Sequence, residues 1–318
     1  NLELAVIYGG NSSERDVSIN TAKSIISVID SRFKITEIDF DGNISNMDHL
    51  LDGLKLDLVF NALHGGVGEN GDIQQYFEDR KIPFTGSGYN TSRIAMSKHQ
   101  TKLECLKLDI PTPRWIFIDD GNFETDGLST SSFIKNNSSN YLTNKIVLKP
   151  NDEGSSTDLK ILDSPDNKDI YCNMDLLKKY GSYIVEEYIK GRELTVGILG
   201  NQVLPVIEIL PKNNFYDYEC KYSDGMSQYQ VPAHLSDELT SQIQYYAYKL
   251  HADLGCRHYS RVDFRLNNDN HIYLLEINTL PGMTATSLLP KAAQAYDINF
   301  KNLIKNIIDQ ALKDYLLI

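Results

Sequence analysis

The sequence predicts a protein that combines an α/β unit, built on a doubly wound parallel sheet, with antiparallel α+β units. Two observations indicate this fold class. Strands alternate with helices along the first hundred residues, a pattern typical of a parallel sheet covered by helices. The C-terminal third carries long strands, two of which are separated by the turn sequence "NNDN" at 267–270. A chain of 318 residues is long enough for two or three domains.

Three strands define the N-terminal unit. They are "LELAVIY" (2–8), "KITEIDF" (34–40) and "LDLVFNAL" (56–63), and the short extended piece "IPFTG" (82–86) follows them. Helical patterns cover 17–29 and 71–80. Two glycine-containing loops, at 9–15 and 65–71, directly follow strands. Because ligands bind at the carboxyl ends of parallel strands, both loops should lie on the binding edge of the sheet.

The rest of the chain is predicted to form two further units. An amphipathic helix ended by Pro111 begins the second unit, and another helix closes the chain near 299–316. Strands are predicted at 114–118, 145–150, 159–162, 182–189, 193–199, 202–210, 260–266 and 271–279. Residues 211–232 are polar and tyrosine-rich, without a clear period, and are predicted to form a long functional loop. We expect domains at 1–96, 97–184 and 185–318.

Composition narrows the classes of function. The net charge of −12 argues against nucleic acid and acidic membranes as partners, since both select a basic surface. Four scattered cysteines without a C-x-x-C pair are typical of a reduced chain, so we expect a cytoplasmic protein. No apolar run approaches the roughly 20 residues that a membrane span requires.

Charged and amide side chains interrupt the last predicted strand, "HIYLLEINT" at 271–279. Glu276 and Asn278 project from one face because alternate strand residues point the same way. A hairpin about 267–270 brings Arg261 and Asp263 near that face. Two carboxylates and an amide oxygen are hard ligands suited to Mg²⁺, which would offset the burial of the charges. The alternative is a structural ion pair between Glu276 and Arg261.

Other motifs allow both a binding and a structural interpretation. Lys149 precedes the glycine-serine loop "NDEGSSTD", which could bind phosphate through backbone N–H groups or form an ordinary turn. The loop does not match a P-loop, and "HGGVGENG" does not match a dinucleotide fingerprint. His64 is either structural or close to a substrate. Acids in "YIVEEYIKGREL" could bind adenine and ribose or remain at a solvated edge.

Taken together, the motifs resemble the D-alanine–D-alanine ligases, members of the ATP-grasp superfamily. "GGNSSERDVS", "LHGGVGENGDIQQYF", "KPNDEGSS", "EEYIKGRELTVGIL", "FYDYECKY", "RVDF" and "LLEINTLPGMTATSLLP" occur in the family order. The match runs almost from end to end, and the last motif is highly specific. The resemblance implies a three-domain ATP-grasp architecture with a substrate-binding, a lid and a catalytic domain. It also implies ATP-dependent joining of two D-alanine molecules for peptidoglycan precursors.

The resemblance also implies roles for individual residues in ATP binding. Phosphates would be bound by Lys98, Lys149 and Ser155, with the loop at 152–157 as a lid. Adenine and ribose would be held by Glu186, the backbone from Glu187 to Ile189, and Glu193. Two Mg²⁺ ions, or Mn²⁺ as a substitute, would be bound by Asp263, Glu276 and Asn278.

For the substrates, the resemblance assigns Glu14 to the ammonium of the first D-alanine, with His64 close by. Arg261 and the Gly282 backbone would form the oxyanion site. Ser287 and Leu288 would receive the second D-alanine. Lys221 and Tyr222 lie on the loop that would close over the site, and Tyr222 would interact with Glu14 and Ser155. A homodimer is also implied.

Four positions depart from the family pattern: Asn70, Ser97, Asp158 and His258. None removes a predicted ligand, but Asp158 replaces a common glycine and could alter lid mobility. Three rival functions remain: a D-alanine–D-lactate ligase, another ATP-grasp carboxylate–amine ligase, and a nucleotide-binding regulator without turnover. The pair Lys221–Tyr222 favours the dipeptide product, and the intact Arg261, Asp263, Glu276 and Asn278 argue against a regulator.

Overall fold

The structure is a computed structural model, and it describes residues 2–119, 122–125, 128–129, 145–154, 157–163, 173–211 and 227–316. Within these ranges the strands form three sheets. None of the helices in the described ranges combines the length and the apolar character that crossing a membrane requires.

The N-terminal unit contains the predicted parallel sheet. Its strands are β1 (Leu2–Gly9), β2 (Phe33–Phe40) and β3 (Leu58–Asn61), in the order β2-β1-β3. A parallel bridge from Val59 to Phe84 extends the sheet at the predicted piece 82–86. The helices are α1 (Arg15–Ile26), α2 (Met47–Leu50), α3 (Asp72–Asp79) and α4 (Tyr89–Met96).

Both faces of this sheet are buried, as a doubly wound arrangement requires. Leu4 and Val6 of β1 pack into one hydrophobic cluster, and Ala5 and Ile7 pack into another on the opposite face. The first cluster also contains residues from the C-terminal helices, so the N-terminal and C-terminal units share one continuous apolar core.

The central unit begins with helix α5 (Lys98–Lys107) and contains an antiparallel sheet. Its strands are β4 (Trp115–Asp119), β5 (Asn122–Thr125), β6 (Leu128–Ser129), β7 (Lys145–Pro150), β8 (Lys160–Asp163) and β9 (Ser182–Glu187). Their order is β6-β5-β4-β9-β7-β8, and helix α6 (Met174–Tyr180) packs beside β9. The predicted boundary after residue 184 lies inside β9, and the chain changes sheets at 188–190, before β10 (Gly191–Leu199).

The C-terminal unit is an antiparallel sheet covered by helices. Besides β10, its strands are β11 (Gln202–Val203), β12 (Ile207–Pro211), β13 (Ser227–Gln230), β14 (Tyr259–Asn267) and β15 (Ile272–Asn278). The order is β13-β12-β10-β14-β15, with β11 paired to β10. The helices are α7 (Asp237–Asp253), α8 (Leu288–Ala295) and α9 (Phe300–Leu316).

Two sequence predictions in this unit were wrong in detail. The strand predicted at 202–210 is two strands, since Pro205 has no N–H for a sheet and separates β11 from β12. The loop predicted at 211–232 contains β13, which pairs with β12. Helix α7 was not predicted, although its buried Ile243, Ala247 and Leu250 have helical spacing.

The predicted hairpin is confirmed, with an irregularity that determines its faces. The turn closes with a hydrogen bond of 3.0 Å from Asn267 N to the His271 carbonyl. Pairing is regular as far as Phe264 opposite Leu274, but the next pair is Asp263 with Glu276. Leu275 is therefore an extra residue, a β-bulge that shifts the facing of all later residues of β15.

Candidate active site

Two loops at the carboxyl end of the N-terminal sheet bring a carboxylate and an imidazole together. Glu14 lies between β1 and α1, His64 follows β3, and both side chains are buried. The Ser12 hydroxyl donates to the His64 carbonyl over 2.7 Å and joins the loops. Gly65 has a φ of 65°, and a Cβ there would lie 2.9 Å from Glu14 Oε2. This glycine therefore provides the space that the Glu14 carboxylate occupies.

A third polar group on this edge, Glu69, is missing from the predicted site. Nδ1 of His64 lies 3.9 Å from Glu69 Oε1, and Nε2 lies 2.9 Å from Thr21 Oγ1. The pKa of the Glu69 carboxyl is raised overall. Burial is the main cause and the nearby charge of Glu14 adds to it, whereas His64 acts in the opposite direction. The sequence signal was available, because Glu69 is an acid in the glycine loop after a strand, as Glu14 is.

The site face of the C-terminal hairpin carries Arg261, Asp263, Glu276 and Asn278. The Arg261 guanidinium forms a two-point ion pair with Asp263, with Nε–Oδ1 and NH2–Oδ2 distances of 2.9 and 2.8 Å. Thr195 on β10 donates to Asp263 Oδ1 over 2.6 Å. The ion pair of Arg261 thus runs along its own strand to Asp263. This differs from the Arg261–Glu276 pair that was considered as the structural alternative.

The oxygen atoms on this face fit a hard divalent cation. In the described ranges, no three His, Cys, Asp or Glu side chains cluster closely enough to form a metal site by themselves, so a cation here would need the Asn278 amide as its third oxygen donor. Asn278 Oδ1 accepts from Leu280 N over 2.8 Å, which orients the amide. Each carboxylate oxygen has two acceptor positions, so a carboxylate can accept hydrogen bonds and bind a cation at the same time. Oxygen donors of this kind are those that Mg²⁺ binds in proteins.

Lys98, at the first position of α5, faces this acidic group from the central unit. Burial lowers the pKa of its ammonium, and the charge of Glu276 opposes that shift. Asn151 holds the segment in place: its carbonyl accepts from Lys98 N over 3.1 Å, and its Oδ1 accepts from His99 N over 2.9 Å. The Lys98 ammonium also donates to the Glu153 carbonyl, at the start of the glycine-serine loop.

The second predicted phosphate ligand, Lys149, is the penultimate residue of β7 and forms a buried ion pair. Its Nζ lies 2.7 Å from Glu186 Oε1 on the neighbouring strand β9. A further lysine that the sequence interpretation missed, Lys102 on α5, lies 2.7 Å from Glu186 Oε2. Burial raises the pKa of Glu186, but the two ammonium groups outweigh it and leave the pKa lowered. Glu186 is therefore an ionised carboxylate between two lysines.

The other residues predicted to bind adenine and ribose lie where the chain passes from β9 to β10. Glu187 pairs with Arg114, with a distance of 3.0 Å from Nε to Oε2. Ile189 is buried, and Glu193 lies 3.1 Å from an Arg265 nitrogen across the β10–β14 pair. Two cavities border Glu276. Among the described residues that line them, none of these three groups occurs.

The N-terminus of α8 forms another side of the site. Ser287 is its N-cap residue, and its hydroxyl accepts from Thr284 N over 3.0 Å. The Gly282 backbone runs beside it, since a Cβ on Gly282 would lie 3.0 Å from Ser287 Oγ. Leu288 follows as the first residue of the helix and is buried. Helix N-termini attract anions, so this corner suits a carboxylate.

These parts surround one cavity of about 90 Å³. The predicted site residues that line it are Glu14, His64, Arg261, Asp263, Glu276, Asn278, Gly282, Ser287 and Leu288. A neighbouring cavity shares Glu276 and Asn278 and reaches Lys98. Three predicted residues, Ser155, Lys221 and Tyr222, lie outside the described ranges.

Known proteins are similar to this chain over almost its whole length. The family described as "D-ala D-ala ligase C-terminus" matches residues 105–309. A D-alanine–D-alanine ligase from Aquifex aeolicus is 41% identical over 312 residues, covering 96% of this chain and all of the relative. The chain belongs to the D-alanine–D-alanine ligase family. The family resemblance noted in the sequence is thereby confirmed.

Solved structures of the D-alanine–D-alanine ligase family confirm the predicted fold class. The ligase from Bacillus anthracis complexed with ATP is 29% identical with a TM-score of 0.82, covering 100% of this chain and 99% of that one. The VanG D-Ala:D-Ser ligase from Enterococcus faecalis is 26% identical with a TM-score of 0.80, covering 98% and 99%. The parallel N-terminal sheet and the two antiparallel sheets are the three-sheet arrangement expected for an ATP-grasp ligase.

Proposed function

We propose that this protein joins two D-alanine molecules to D-alanyl-D-alanine, converts ATP to ADP and phosphate, and so supplies peptidoglycan precursor synthesis. One observation carries the proposal. A single cavity is lined by an acid and an imidazole for an amino acid, an arginine, a set of oxygen ligands and a helix N-terminus. A carboxylate is a poor acylating agent, so an acylphosphate intermediate would provide the leaving group.

The residues of the cavity have complementary tasks in this reaction. Glu14, with His64 beside it, would hold the ammonium of the first D-alanine. Arg261 and the Gly282 backbone would stabilise the negative charge that develops on the acyl oxygen when the second D-alanine attacks. Ser287 and Leu288, at the positive end of α8, would bind the second D-alanine and its carboxylate.

ATP binding is proposed to depend on the central unit. Lys98, Lys149 and Ser155 would bind the phosphates. Lys98 and Lys149 are both buried, and Lys98 lines the cavity beside Glu276. Glu186, Glu187, Ile189 and Glu193 would hold adenine and ribose where the chain passes between the two antiparallel sheets. Positioning of two charged reactants is the main contribution that such a site makes to phosphoryl transfer.

Asp263, Glu276 and Asn278 would hold two Mg²⁺ ions, with Mn²⁺ as a substitute. Bound there, the ions would neutralise charge on the phosphate oxygens. Ser155, Lys221 and Tyr222 would belong to the segments that close over the site and exclude water from the acylphosphate.

We further propose three domains that follow the three sheets, close to 1–96, 97–184 and 185–318, with the second boundary moved to the end of β9. A cytoplasmic homodimer is proposed from the family resemblance. Size-exclusion chromatography with light scattering, at enzyme concentrations used for assays, would test the dimer.

Product analysis tests the proposed activity. The protein is incubated with MgATP and D-alanine, and ADP, phosphate and dipeptide are quantified. We expect equal amounts of the three products, with no ADP release without D-alanine. ADP release independent of D-alanine, or none in its presence, would overturn the proposal.

The rival products are tested in the same assay. D-lactate or D-serine is supplied with D-alanine as the second substrate across a range of pH. D-serine is included because the VanG D-Ala:D-Ser ligase shares the fold. We expect the dipeptide of D-alanine to dominate, and a mixed product in excess would favour a rival ligase.

A further inference from the structure

Lys102 is a fully buried lysine in the middle of α5, and the proposed reaction gives it no task. Three oxygen atoms lie within 3.0 Å of its Nζ: Glu186 Oε2 at 2.7 Å, Thr112 Oγ1 at 2.8 Å and the Pro113 carbonyl at 3.0 Å. The centroid of the Trp115 ring lies 5.3 Å from the same nitrogen. An unpaired buried ammonium is very unfavourable, so this enclosure indicates a specific role.

The contacts of Lys102 hold its ammonium group in a fixed position. The Thr112 hydroxyl donates to the Leu274 carbonyl over 2.8 Å, so towards Lys102 it acts as an acceptor. The Thr112 hydroxyl and the Pro113 carbonyl thus anchor the ammonium. Its contact with Glu186 Oε2 is an ion pair outside hydrogen-bond geometry, and that oxygen has no hydrogen bond within the described ranges. Burial lowers the pKa of the Lys102 ammonium, and the Glu186 carboxylate at this distance opposes that shift.

Glu186 therefore has two counter-ions of different character. Lys102 is fully buried and anchored on two other oxygen atoms. Lys149 retains 11% side-chain exposure and is the penultimate residue of β7, shortly before the glycine-serine loop. When all three groups are ionised, they carry one net positive charge. Of the two lysines, Lys149 is the one that can turn toward a ligand.

We propose that Lys102 is a positioning residue that keeps Glu186 paired, so that Lys149 can leave Glu186 and bind the ATP phosphates. The inference rests on the proposed role of Lys149 in ATP binding. With Lys149 as its only partner, Glu186 would be left buried and unpaired whenever Lys149 moved to a phosphate. Lys102 removes the cost of leaving Glu186 unpaired, because it stays paired with the Glu186 carboxylate before and after Lys149 moves.

The test is Lys102→Met, which keeps an unbranched side chain and removes the charge. We expect the KM for ATP and the Kd for MgATP to rise at least about tenfold, because Lys149 is then retained by Glu186. The KM for D-alanine should change much less. Lys107→Met is the matched control, since Lys107 is exposed on the same helix and pairs with Glu104.

A second pair of variants distinguishes this role from simple packing and covers the case in which Lys102→Met does not fold. Lys102→Met is combined with Glu186→Gln, which removes the carboxylate that Lys102 serves. We expect the double variant to match Glu186→Gln alone in MgATP affinity within about twofold, because no carboxylate then remains to retain Lys149. A tenfold loss of affinity between those two variants would overturn the inference.

Calorimetric titration of MgATP separates failure of this inference from failure of the proposed function. Equal MgATP affinity in the wild type and in Lys102→Met would reject the proposed role of Lys102 but leave the proposed function intact. Wild-type protein that binds no MgATP would reject the proposed function instead.

Discussion

Asp263 and Glu276 lie directly opposite each other on β14 and β15, although residue counting from the turn pairs Asp263 with Leu275. A regular hairpin about 267–270 would place Glu276 opposite Val262, on the face that packs into the apolar core. The bulge at Leu275 corrects the register by one residue. Glu276 and Asn278 consequently share the site face, and Ile277 joins the core.

Glu276→Gln should largely abolish turnover, because it removes a charged ligand from the proposed Mg²⁺ site. Loss of a partner outside the ligand set lowers metal affinity or activity by about 10- to 100-fold, so loss of a ligand should exceed about 100-fold in kcat/KM. ADP release with D-alanine and MgATP is the measurement. Asp269→Asn, an exposed acid in the hairpin turn, is the control for the same chemical change. Near-normal ADP release by Glu276→Gln would contradict the metal assignment.

Gly197→Ala should destabilise the contact between β10 and α8. A Cβ at Gly197 would lie 2.5 Å from Leu289 Cδ1 and 3.2 Å from Leu204 Cδ1. Overpacking of this kind lowers the free energy of unfolding by about 1–3 kcal/mol, and urea unfolding would measure the change. Because Ser287 stands at the N-terminus of α8, a shift of the helix should raise the KM for the second D-alanine as well.

Leu289→Val tests whether that clash is the cause, because valine lacks the δ-methyl group. We expect the combination of Leu289→Val with Gly197→Ala to lose less stability than the sum of the single changes. Simple additivity would show that Gly197 acts elsewhere.

Acidification should destabilise the protein through His251. Burial lowers the pKa of this imidazole to about 4, whereas an unfolded histidine titrates near 6.5. Between these values the unfolded chain binds the additional proton, so stability is full above about pH 6.5 and falls as the pH decreases toward 4. The difference between the folded and unfolded pKa values corresponds to roughly 3 kcal/mol in the free energy of unfolding for this one group.

His251→Asn should remove this part of the pH dependence while leaving a polar group near Ser260 Oγ, which lies 2.7 Å from His251 Nδ1. Urea unfolding at a series of pH values would measure the slope. His49→Asn, at an exposed site, should leave the slope unchanged. An identical slope in His251→Asn and wild type would contradict the assignment.

Tyr222→Phe should reduce the rate or the specificity for the second substrate more than the stability, because it deletes only a hydroxyl. The prediction comes from the family resemblance, since Tyr222 lies outside the described ranges. Steady-state kinetics with D-alanine and thermal unfolding would be measured together. Unchanged kinetics would remove Tyr222 from the site.

Local patterns predicted most of the architecture and part of the site. The three parallel strands, the hairpin about 267–270 and the shared face of Glu276 and Asn278 follow from alternation and turn residues, which act over a few positions. Helix α7 was missed although its spacing is helical, and β13 was missed because its pairing with β12 is a long-range contact. Asp158 and His258, at common glycine positions, have φ values of 49° and 62°.

The sequence by itself determined which chemical groups are available and the family to which the chain belongs, because motifs and their order require no coordinates. Only the tertiary structure decided which groups meet. Glu69 reaches His64 through a loop, and Lys102 reaches Glu186 from a helix 84 residues earlier in the chain. The bulge at Leu275 decides which face Glu276 occupies. The pairing of Lys102 with Glu186 depends on the packing of distant segments, which no local pattern encodes.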